Sequence, residues 1–426
     1  MIRIFEYNAL SENEIFSRSS SSADVSAPVA EIIKAVRERG DEALRDYTLR
    51  FDGVRLSAIE VPRSEIEQAA SGMDSAFMQV LSKAADRIRA YHGNQVRKGF
   101  EIKQADGVVL GQKIVPVSVA GIYVPGGTAA YPSTVLMDTI PAKLAGVSHV
   151  VMVSPPGKDG KISQAVLAAA YVAGVDRVFS VGGAQAIAAL AFGTETIPKA
   201  DKIVGPGNIF VAEAKRQVSS LVGIDMIAGP SEILIISDGM SNPRVIAADM
   251  LSQAEHDRNA SAVLITTSRK LADEVAEELE KQLAVLPREE IARASIETNG
   301  KIIVAASIEQ AIEISDRIAP EHLEVCVDNP FDYLDLIHNA GSVFLGRSCP
   351  EALGDYLAGP NHTLPTSGTA RFSSPLSVDD FVKKYQYTYY TDTALSKVAD
   401  DIAMFARREG LEAHARSALV RKEAKS

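Results

Sequence analysis

Short apolar runs alternate with stretches of helical periodicity along the chain from about residue 114 onward. The first series of runs and helical stretches lies at residues 114–124, 133–145, 149–153, 162–173 and 177–181. A second series of apolar runs, separated by helical segments, lies at residues 232–237, 262–266, 301–304, 322–327 and 341–345. Such alternation predicts mostly parallel sheets covered by crossover helices on both faces. We therefore expect two Rossmann-like, doubly wound α/β modules.

Helical periodicity also predicts helices outside these modules. One helix is expected over about 29–43, more helix over 66–90, and a helical tail over 393–416 behind a loop-rich stretch at 359–375. The serine run at 19–22 predicts a flexible join between an N-terminal arm and the first helix. The predicted organisation is an arm (1–22), a discontinuous α/β domain (23–122 plus 231–370), a second α/β domain (123–230) and a helical C-terminal tail (371–426).

Composition narrows the class of protein and its partners. The chain has 426 residues, 46% of them hydrophobic and 23% charged, which is typical of a globular protein with more than one domain. Two cysteines exclude a disulfide framework and a four-thiolate zinc site, and they favour a reducing, cytoplasmic location. A formal net charge of -11 argues against non-specific nucleic-acid binding, and no apolar run reaches the ~20 residues of a membrane helix. The expected partner is a small molecule.

Three turns of the first module are rich in glycine and proline, and each precedes a predicted helix. They are Val124-Pro-Gly-Gly127, Val181-Gly-Gly-Ala-Gln185 and Val204-Gly-Pro-Gly-Asn208. Glycine allows a backbone to approach a phosphate, and a helix N-terminus favours negative charge. The G-x-G-x-x-G fingerprint is absent, however, so ordinary tight turns remain the stronger interpretation of these glycines. The amides of Gln185 and Asn208 favour a dinucleotide site only slightly.

A metal hypothesis arises from the segment Ser252-Gln-Ala-Glu-His-Asp257. If Gln253 and His256 lie three apart on a helix, their side chains share a face and are able to bind one cation. Alone, this pair is more typical of solvated or capping residues. Three further histidines, His322, His362 and His414, lie in polar, turn-flanked contexts, whereas the role of His92 stays open.

The dipeptide Glu321-His322 places two titratable groups at the start of a predicted strand. Such a pair is able to transfer a proton and to activate water. Exposed polar sequence is nevertheless the better interpretation of the dipeptide by itself. Asp355, in Leu353-Gly-Asp-Tyr356, is likewise interpreted as a turn residue on local grounds.

Nearly the whole chain resembles the L-histidinol dehydrogenase family. The resemblance is carried, in order, by Gly40-Asp-Glu-Ala-Leu44, Phe51-Asp-Gly53, Gly121-Ile-Tyr-Val-Pro-Gly-Gly127, Val204-Gly-Pro-Gly-Asn208, Ala228-Gly-Pro-Ser-Glu232, Leu251-Ser-Gln-Ala-Glu-His256, Ala319-Pro-Glu-His-Leu-Glu324, Gly359-Pro-Asn-His-Thr-Leu-Pro-Thr366 and Gly410-Leu-Glu-Ala-His414. These strings are long, and their joint occurrence in order is far more specific than any single glycine pattern. The resemblance implies an aldehyde-dehydrogenase-like architecture and the last two oxidations of histidine biosynthesis.

The resemblance also implies a zinc ion and its ligands. One Zn²⁺ per subunit would be bound by Gln253, His256, Asp355 and His414, and it would orient the substrate. A glutamine is an unusual ligand, because zinc is ordinarily bound by thiolate, imidazole and carboxylate. The same four residues would contact the substrate.

Roles for the remaining site residues follow from the same resemblance. His322 would act as the general base and Glu321 would activate water. NAD would be bound by Tyr123, Gln185 and Asn208, and L-histidinol by Ser231, His322, His362 and Glu409 together with the metal ligands. The predicted reaction is a four-electron oxidation of L-histidinol to L-histidine through a bound aldehyde. Neither Cys326, in a predicted buried strand, nor Cys349 is predicted to be an activated thiolate, which favours an aldehyde hydrate.

The family resemblance implies a homodimer in which the C-terminal tail completes the site of the partner subunit through Glu409 and His414. Two alternatives belong to other classes of protein. A zinc-dependent hydrolase would use the same ligands but would not account for the three glycine-rich turns. A non-catalytic binding protein would retain the turns but would have no need for the Glu321-His322 pair.

Overall fold

The computed structural model describes residues 1–7, 15, 24–126 and 130–423. These residues divide into two compact units, one formed by residues 1–95 and 117–381, the other by residues 96–116 and 382–426. The predicted serine join at 19–22 and the end of the turn at Val124-Pro-Gly-Gly127 lie outside the described residues. Within the described ranges, no helix combines the length and the apolar character needed to cross a membrane.

The first unit contains two six-stranded sheets. The first sheet has the order β1-β12-β11-β10-β13-β14, with all strand pairs parallel. Its strands are β1 (Arg3–Glu6), β10 (Glu232–Ser237), β11 (Ser261–Thr266), β12 (Lys301–Val304), β13 (His322–Cys326) and β14 (Ser342–Leu345). The chain order reverses between β10 and β13, which makes this pair the topological switch point.

The second sheet has the order β2-β7-β6-β5-β8-β9 and is parallel except for the pairing of β2 with β7. Its strands are β2 (Glu60–Val61), β5 (Val119–Tyr123), β6 (His149–Ser154), β7 (Arg177–Ser180), β8 (Lys202–Val204) and β9 (Gly223–Ile224). The switch point lies between β5 and β8.

Helices cover both faces of each sheet, as the continuous apolar strands require. Ile233 and Ile235 of β10 belong to one hydrophobic core, and the alternate residues Leu234 and Ile236 belong to another. The helices of this unit are α1 (Ser26–Arg39), α2 (Asp41–Asp52), α3 (Arg63–Gly72), α4 (Ser75–Gly93), α5 (Pro132–Ala145), α6 (Gln164–Ala173), α7 (Gly183–Phe192), α8 (Ile209–Val218), α9 (Pro243–Ala254), α10 (Arg269–Leu283), α11 (Glu289–Thr298), α12 (Ile308–Ile318) and α13 (Glu351–Tyr356).

The second unit contains a three-stranded antiparallel sheet and two helices. Its sheet has the order β15-β4-β3, and its elements are β3 (Phe100–Lys103), β4 (Val109–Pro116), β15 (Val382–Tyr389), α14 (Asp392–Arg408) and α15 (Glu412–Glu423). This sheet was not expected from the sequence. The pairing of β3 with β4 is local, but β15 joins them from a distant segment of the chain, so no local pattern predicts the complete sheet.

The predicted fold class is confirmed: two doubly wound α/β modules, with helices at the C-terminal end. Three element boundaries were wrong. The helix predicted over 29–43 is two helices, because Gly40 adopts a φ of +52° and a Cβ there would collide with the carboxylate of Glu195. The run at 114–124 is two strands of different sheets, and the tail helix is interrupted at Gly410, with a φ of +76°. The predicted domain limits stay a prediction.

Candidate active site

The predicted acid-base residues lie at the amino edge of the first sheet, at its switch point. His322 begins β13, where it pairs with Ile233 on one side and Ser342 on the other. Glu232 begins the neighbouring strand β10. Ligands of open α/β sheets usually bind at the carboxyl ends of the strands. Here the titratable groups lie at the opposite edge.

His322 is held in one tautomer. Its side chain is buried, and Nδ1 lies 2.9 Å from the backbone carbonyl oxygen of Glu232. A carbonyl only accepts hydrogen bonds, so Nδ1 carries the proton and Nε2 presents a lone pair. Nε2 has no hydrogen-bond partner among the described residues, and burial lowers the pKa of the ring. His322 is therefore a neutral imidazole with a basic nitrogen available.

Glu321 lies beside this ring. Its Oε2 is 3.6 Å from Nδ1 of His322 and accepts a hydrogen bond from the backbone N–H of Glu232 at 2.9 Å. Burial raises the pKa of Glu321 well above its ordinary value, and nearby carboxylates raise it further. A carboxylate of raised pKa is a stronger base toward water than an exposed glutamate.

Glu351 is a residue that sequence reasoning missed. It is 2% exposed, and its Oε1 lies 3.7 Å from Nε2 of His322 without a hydrogen-bond partner among the described residues. His322, Glu351 and Asp355 offer ligand atoms that all lie within 4.8 Å of one another. In sequence, Glu351 follows Pro350 at the start of α13, where an acidic residue is ordinary helix-terminal chemistry. Only its approach to His322 of β13 distinguishes Glu351 from an ordinary acidic residue at a helix start.

Asp355 lies on the same short helix as Glu351. Burial raises the pKa of Asp355 to about 8, with a further contribution from the carboxylate of Glu351. In the same group, burial raises the pKa of Glu324 to about 9, and Glu324 accepts a hydrogen bond from the backbone N–H of Glu351 at 2.7 Å. The site therefore concentrates buried carboxyl groups whose raised pKa values favour the protonated form.

Gln253 provides an independent sign that a ligand belongs here. Its side chain is 1% exposed, and neither its amide oxygen nor its amide nitrogen has a hydrogen-bond partner among the described residues. An unsatisfied buried amide costs roughly 1–3 kcal/mol. The adjacent Ser252 hydroxyl donates to Oε2 of Glu351 at 3.2 Å, so the end of α9 lies against α13.

His256 does not lie on the helix that was predicted for it. Helix α9 ends at Ala254, and His256 is exposed in the following turn, where its N–H donates to the carbonyl of Gln253 at 3.1 Å. A turn at the end of α9 therefore links the backbones of Gln253 and His256, and the two residues do not share one helical face. His256 lies close enough to His322 and His362 to contribute, after burial, to the lowering of the pKa of both rings.

A cavity of about 170 Å³ opens onto the centre. Its lining includes His322, Asp355, His362 and Cys349. Burial lowers the pKa of His362 to about 4, so this imidazole is neutral at physiological pH. Burial raises the pKa of the Cys349 thiol, and that of the Cys326 thiol in β13. Neither thiol is activated as a nucleophile.

Ser231 lies half-buried immediately before Glu232, and its carbonyl oxygen accepts a hydrogen bond from the backbone N–H of Ser261 at 3.0 Å. The nearby Gly229 donates its N–H to the hydroxyl of Thr366 at 2.6 Å. This bond ties the segment before β10 to the loop that carries His362.

The residues predicted to contact NAD lie at the carboxyl edge of the second sheet. Tyr123 ends β5, and its buried hydroxyl accepts a hydrogen bond from the N–H of Gly183 at 3.1 Å. Gln185 is buried in the first turn of α7, against Gly183. Asn208 caps α8, where its side-chain oxygen accepts from the backbone N–H groups of Phe210 and Val211. The edge thus combines two helix N-termini with close-packed glycines.

Glu409 and His414 belong to the second unit. Glu409 is exposed at the C-cap of α14, and its N–H bonds back to the carbonyl oxygens of Phe405 and Ala406. His414 is exposed in the first turn of α15, with its N–H bonded to the carbonyl of Leu411. The two residues flank the Gly410 turn.

Fold and site together define a two-module α/β enzyme with a buried imidazole–carboxylate centre. Comparison with known proteins names the family. The family model for histidinol dehydrogenase matches residues 16–422. The chain is 54% identical over 414 residues to histidinol dehydrogenase of Listeria monocytogenes, with 97% of both chains covered. It is 53% identical over 426 residues to that of Clostridium acetobutylicum, with 99% of both covered.

The three-dimensional comparison agrees with the sequence comparison. The crystal structure of histidinol dehydrogenase from Elizabethkingia anophelis matches with a TM-score of 0.94 at 39% identity, covering 100% of this chain and 99% of that one. The chain belongs to the histidinol dehydrogenase family of oxidoreductases.

Proposed function

We propose that this enzyme oxidises L-histidinol to L-histidine in two NAD-linked steps, through an aldehyde that stays bound, with a zinc ion in the site. The observation that carries this proposal is the His322 imidazole. It is buried and neutral, Nδ1 is committed to a backbone carbonyl, and Nε2 faces the cavity residues without a partner among the described residues. An alcohol oxidation needs such a base for its hydroxyl proton.

In the first oxidation, Nε2 of His322 accepts the hydroxyl proton of the alcohol. The carbonyl of Glu232 stabilises the imidazolium that forms, because it accepts the Nδ1 hydrogen bond. The carboxylate of Glu351, 3.7 Å from Nε2, adds favourable charge. These contacts are arranged for the state in which the ring becomes charged, which is where stabilisation raises the rate.

In the second oxidation, Glu321 takes a proton from the water that adds to the aldehyde. The N–H of Glu232 holds Oε2 of Glu321 in place for this role. Overall, one alcohol and one water are converted to a carboxylate, while two hydrides are lost to two NAD molecules and three protons are released. Burial raises the pKa of the Cys326 and Cys349 thiols, so both stay protonated. This favours the hydrate route over a thiohemiacetal.

The donor set fits a zinc ion. We assign Gln253, His256 and Asp355 of one subunit and His414 of the partner subunit as its ligands, supported by the orphaned amide of Gln253 and by the raised pKa of Asp355, which a cation would lower again. Bound zinc would supply positive charge that orients the substrate imidazole and amine. Ser231, His362 and Glu409 would complete the substrate contacts.

The carboxyl edge of the second sheet fits NAD. Tyr123, Gln185 and Asn208 would contact it, supported by the N-termini of α7 and α8, whose positive dipole ends favour a pyrophosphate. Bound NAD would supply the hydride acceptor. Glycine at position 205 lets the turn after β8 pack directly against the end of β5, since a Cβ there would collide with the carbonyl oxygen of Tyr123.

Product stoichiometry tests the proposed function. The purified protein is mixed with a limiting amount of L-histidinol and excess NAD, and NADH absorbance is followed to completion. We expect two NADH per histidinol, loss of activity on chelation and recovery with zinc. One NADH per substrate would contradict the two-step reaction, and none would contradict the substrate.

The proposed homodimer, with its tail in the partner's site, has a separate test. Exposed apolar side chains on α14, Met404 and Phe405, are suited to burial against a second subunit. We expect inactive Glu321→Gln and His414→Ala subunits to regain activity when mixed, since a shared site leaves one of the two sites in a mixed dimer intact. If each tail served its own subunit, every site would keep one defect and no activity would return.

A further inference from the structure

A buried charged cluster lies beneath the glycine-rich turn after β8, outside the predicted site residues. The Lys215 ammonium is 2.5 Å from Oδ1 of Asp225, and the two side chains are 2% and 1% exposed. The ammonium also donates to the carbonyl of Gly205 at 2.6 Å, while Oδ2 of Asp225 accepts the N–H of Gly205 at 2.8 Å. Both backbone polar groups of Gly205 are therefore fixed by one ion pair.

Gly205 needs this support because of its backbone conformation. Its φ of +116° is strained for any residue with a side chain, and it packs tightly against Tyr123. Charge-assisted hydrogen bonds are stronger than those between neutral groups. A buried ion pair gives little net stability compared with apolar residues of the same size. The geometry of Gly205 is what this pair determines.

Asp138 connects this turn to the substrate side. It is fully buried on α5, with Oδ2 placed where a Cβ on Gly205 would touch it. Its Oδ1 accepts the hydroxyl of Thr363 at 2.8 Å. Asn361 donates its amide to the carbonyl of Met137 at 2.7 Å and accepts the N–H of Thr363 at 2.8 Å.

Asn361 and Thr363 flank His362, which lines the cavity. A continuous path of packed and hydrogen-bonded groups thus leads from Gly205 through α5 to His362. We propose that Asp138, Lys215 and Asp225 are positioning residues that couple the cofactor-side turn at Gly205 to the His362 loop. This inference rests on the proposed function, because it takes NAD to bind at that turn.

Coupling of this kind is reciprocal. If bound histidine tightens the binding of NAD by some factor, bound NAD tightens histidine by the same factor. The experiment measures the dissociation constant of NAD by calorimetry on the zinc-loaded enzyme, with and without saturating L-histidine, so that no turnover occurs. We expect histidine to change NAD affinity about fivefold or more in the unmodified enzyme.

Thr363→Val removes the hydroxyl while keeping the shape of the side chain. We expect the coupling factor to fall close to one while histidine-free NAD affinity changes by less than about threefold. Thr139→Val is the matched control. Thr139 is buried on α5 next to Asp138, and its hydroxyl has no hydrogen-bond partner among the described residues. It should retain the full coupling factor.

A second variant tests the cofactor side and avoids a lone buried charge. Lys215→Met combined with Asp225→Leu should weaken NAD binding by about tenfold or more and remove the coupling, with histidine affinity in the absence of NAD unchanged. If Thr363→Val does not fold, Asp138→Leu replaces it, and Asp138→Asn, which keeps an acceptor for Thr363, should rescue coupling.

Unchanged coupling in Thr363→Val, or a factor of one in the unmodified enzyme, would overturn the proposal. Failure of the proposed function is distinguishable from this result, because it would appear as absence of NADH from L-histidinol in the unmodified enzyme.

Discussion

The amino edge of the first sheet and the carboxyl edge of the second are built on opposite principles. At the first, buried polar atoms of Gln253, His322 and Glu351 have no hydrogen-bond partner among the described residues, and carboxyl groups raise one another's pKa values. At the second, Lys215, Asp225 and the Asn208 cap satisfy backbone groups. The first edge leaves buried side-chain groups without partners among the described residues, whereas the second uses an ion pair and a helix cap to hold its backbone in one shape.

Under the proposed function, this difference separates proton transfer at the first edge from cofactor binding at the second. Chemistry that moves protons needs groups whose protonation and bonding change during the reaction, so they are left unsatisfied in the free protein. Binding of a dinucleotide needs a backbone that does not move. The predictions below test this division of roles, starting with the largest expected effect.

The most damaging change at the amino edge should be Glu321→Gln. It keeps the shape but removes the base, so oxidation of histidinaldehyde should fall by about 10²–10⁴-fold. The first oxidation should fall much less, because the proposed mechanism assigns that proton transfer to His322. Single-turnover NADH formation from histidinol and from histidinaldehyde separates the two steps. Equal losses in both steps would contradict the separate roles of Glu321 and His322.

A comparison of His256→Ala with Glu351→Gln tests which of these side chains binds the metal. His256→Ala removes a proposed direct ligand, so zinc affinity should fall by at least the roughly 10- to 100-fold that the loss of an outer-shell partner costs. Glu351→Gln should keep its zinc but lower kcat, because it loses the charge that faces Nε2 of His322. Metal content after dialysis and steady-state rates are measured for both variants. If Glu351→Gln loses zinc as readily as His256→Ala, the assigned ligand set is wrong and the His322, Glu351 and Asp355 group binds the metal.

The same comparison explains what could be predicted from the sequence. The two modules followed from apolar periodicity, since strands buried on both faces read as continuous apolar runs. Helix ends at Gly40 and Gly410 were missed, although a glycine that adopts a positive φ is a common local signal for the end of a helix. The sheet of the second unit was missed because it brings together residues far apart in the chain, such as Glu101 and Tyr387, which are 286 positions apart.

For the proposed site, long motifs pointed to Glu321 and His322 as candidates, whereas the surroundings that set their chemical state are visible only in the structure. The tautomer of His322 depends on the Glu232 carbonyl, 90 positions away in the chain. Glu351 and the Asp138 cluster carried no sequence signal, since single acidic residues on helices are common. Their importance is visible only in burial and in what they face.

A smaller effect is expected from Asp138→Asn on the dependence of stability on pH. Burial raises the pKa of Asp138 to about 8, with Asp225 raising it and Thr363 and Lys215 opposing this. The folded state therefore keeps a proton that the unfolded chain releases near pH 4, so stability falls as pH rises from about 4 to about 8 and is level above that. The Asp138→Asn variant would have no such loss, because an amide does not titrate in this range.

Thermal unfolding of both proteins across this range measures the effect. Between pH 5 and pH 8, the unfolding temperature of Asp138→Asn should rise relative to that of the unmodified protein. The other carboxyl groups with raised pKa values contribute equally to both proteins. A constant difference across the range would show that Asp138 is ionised in the folded protein.

The smallest effect is expected from Cys349→Ser. Cys349 lines the cavity beside His322 and Asp355, the place where a nucleophilic thiol would form a thiohemiacetal with the aldehyde. Burial raises the pKa of this thiol, however, so it is protonated and a poor nucleophile. We expect oxidation of histidinaldehyde to change by less than about twofold, measured beside Glu321→Gln. A loss as large as that of Glu321→Gln would replace the hydrate with a covalent intermediate on Cys349 and would make the amino edge a nucleophilic site.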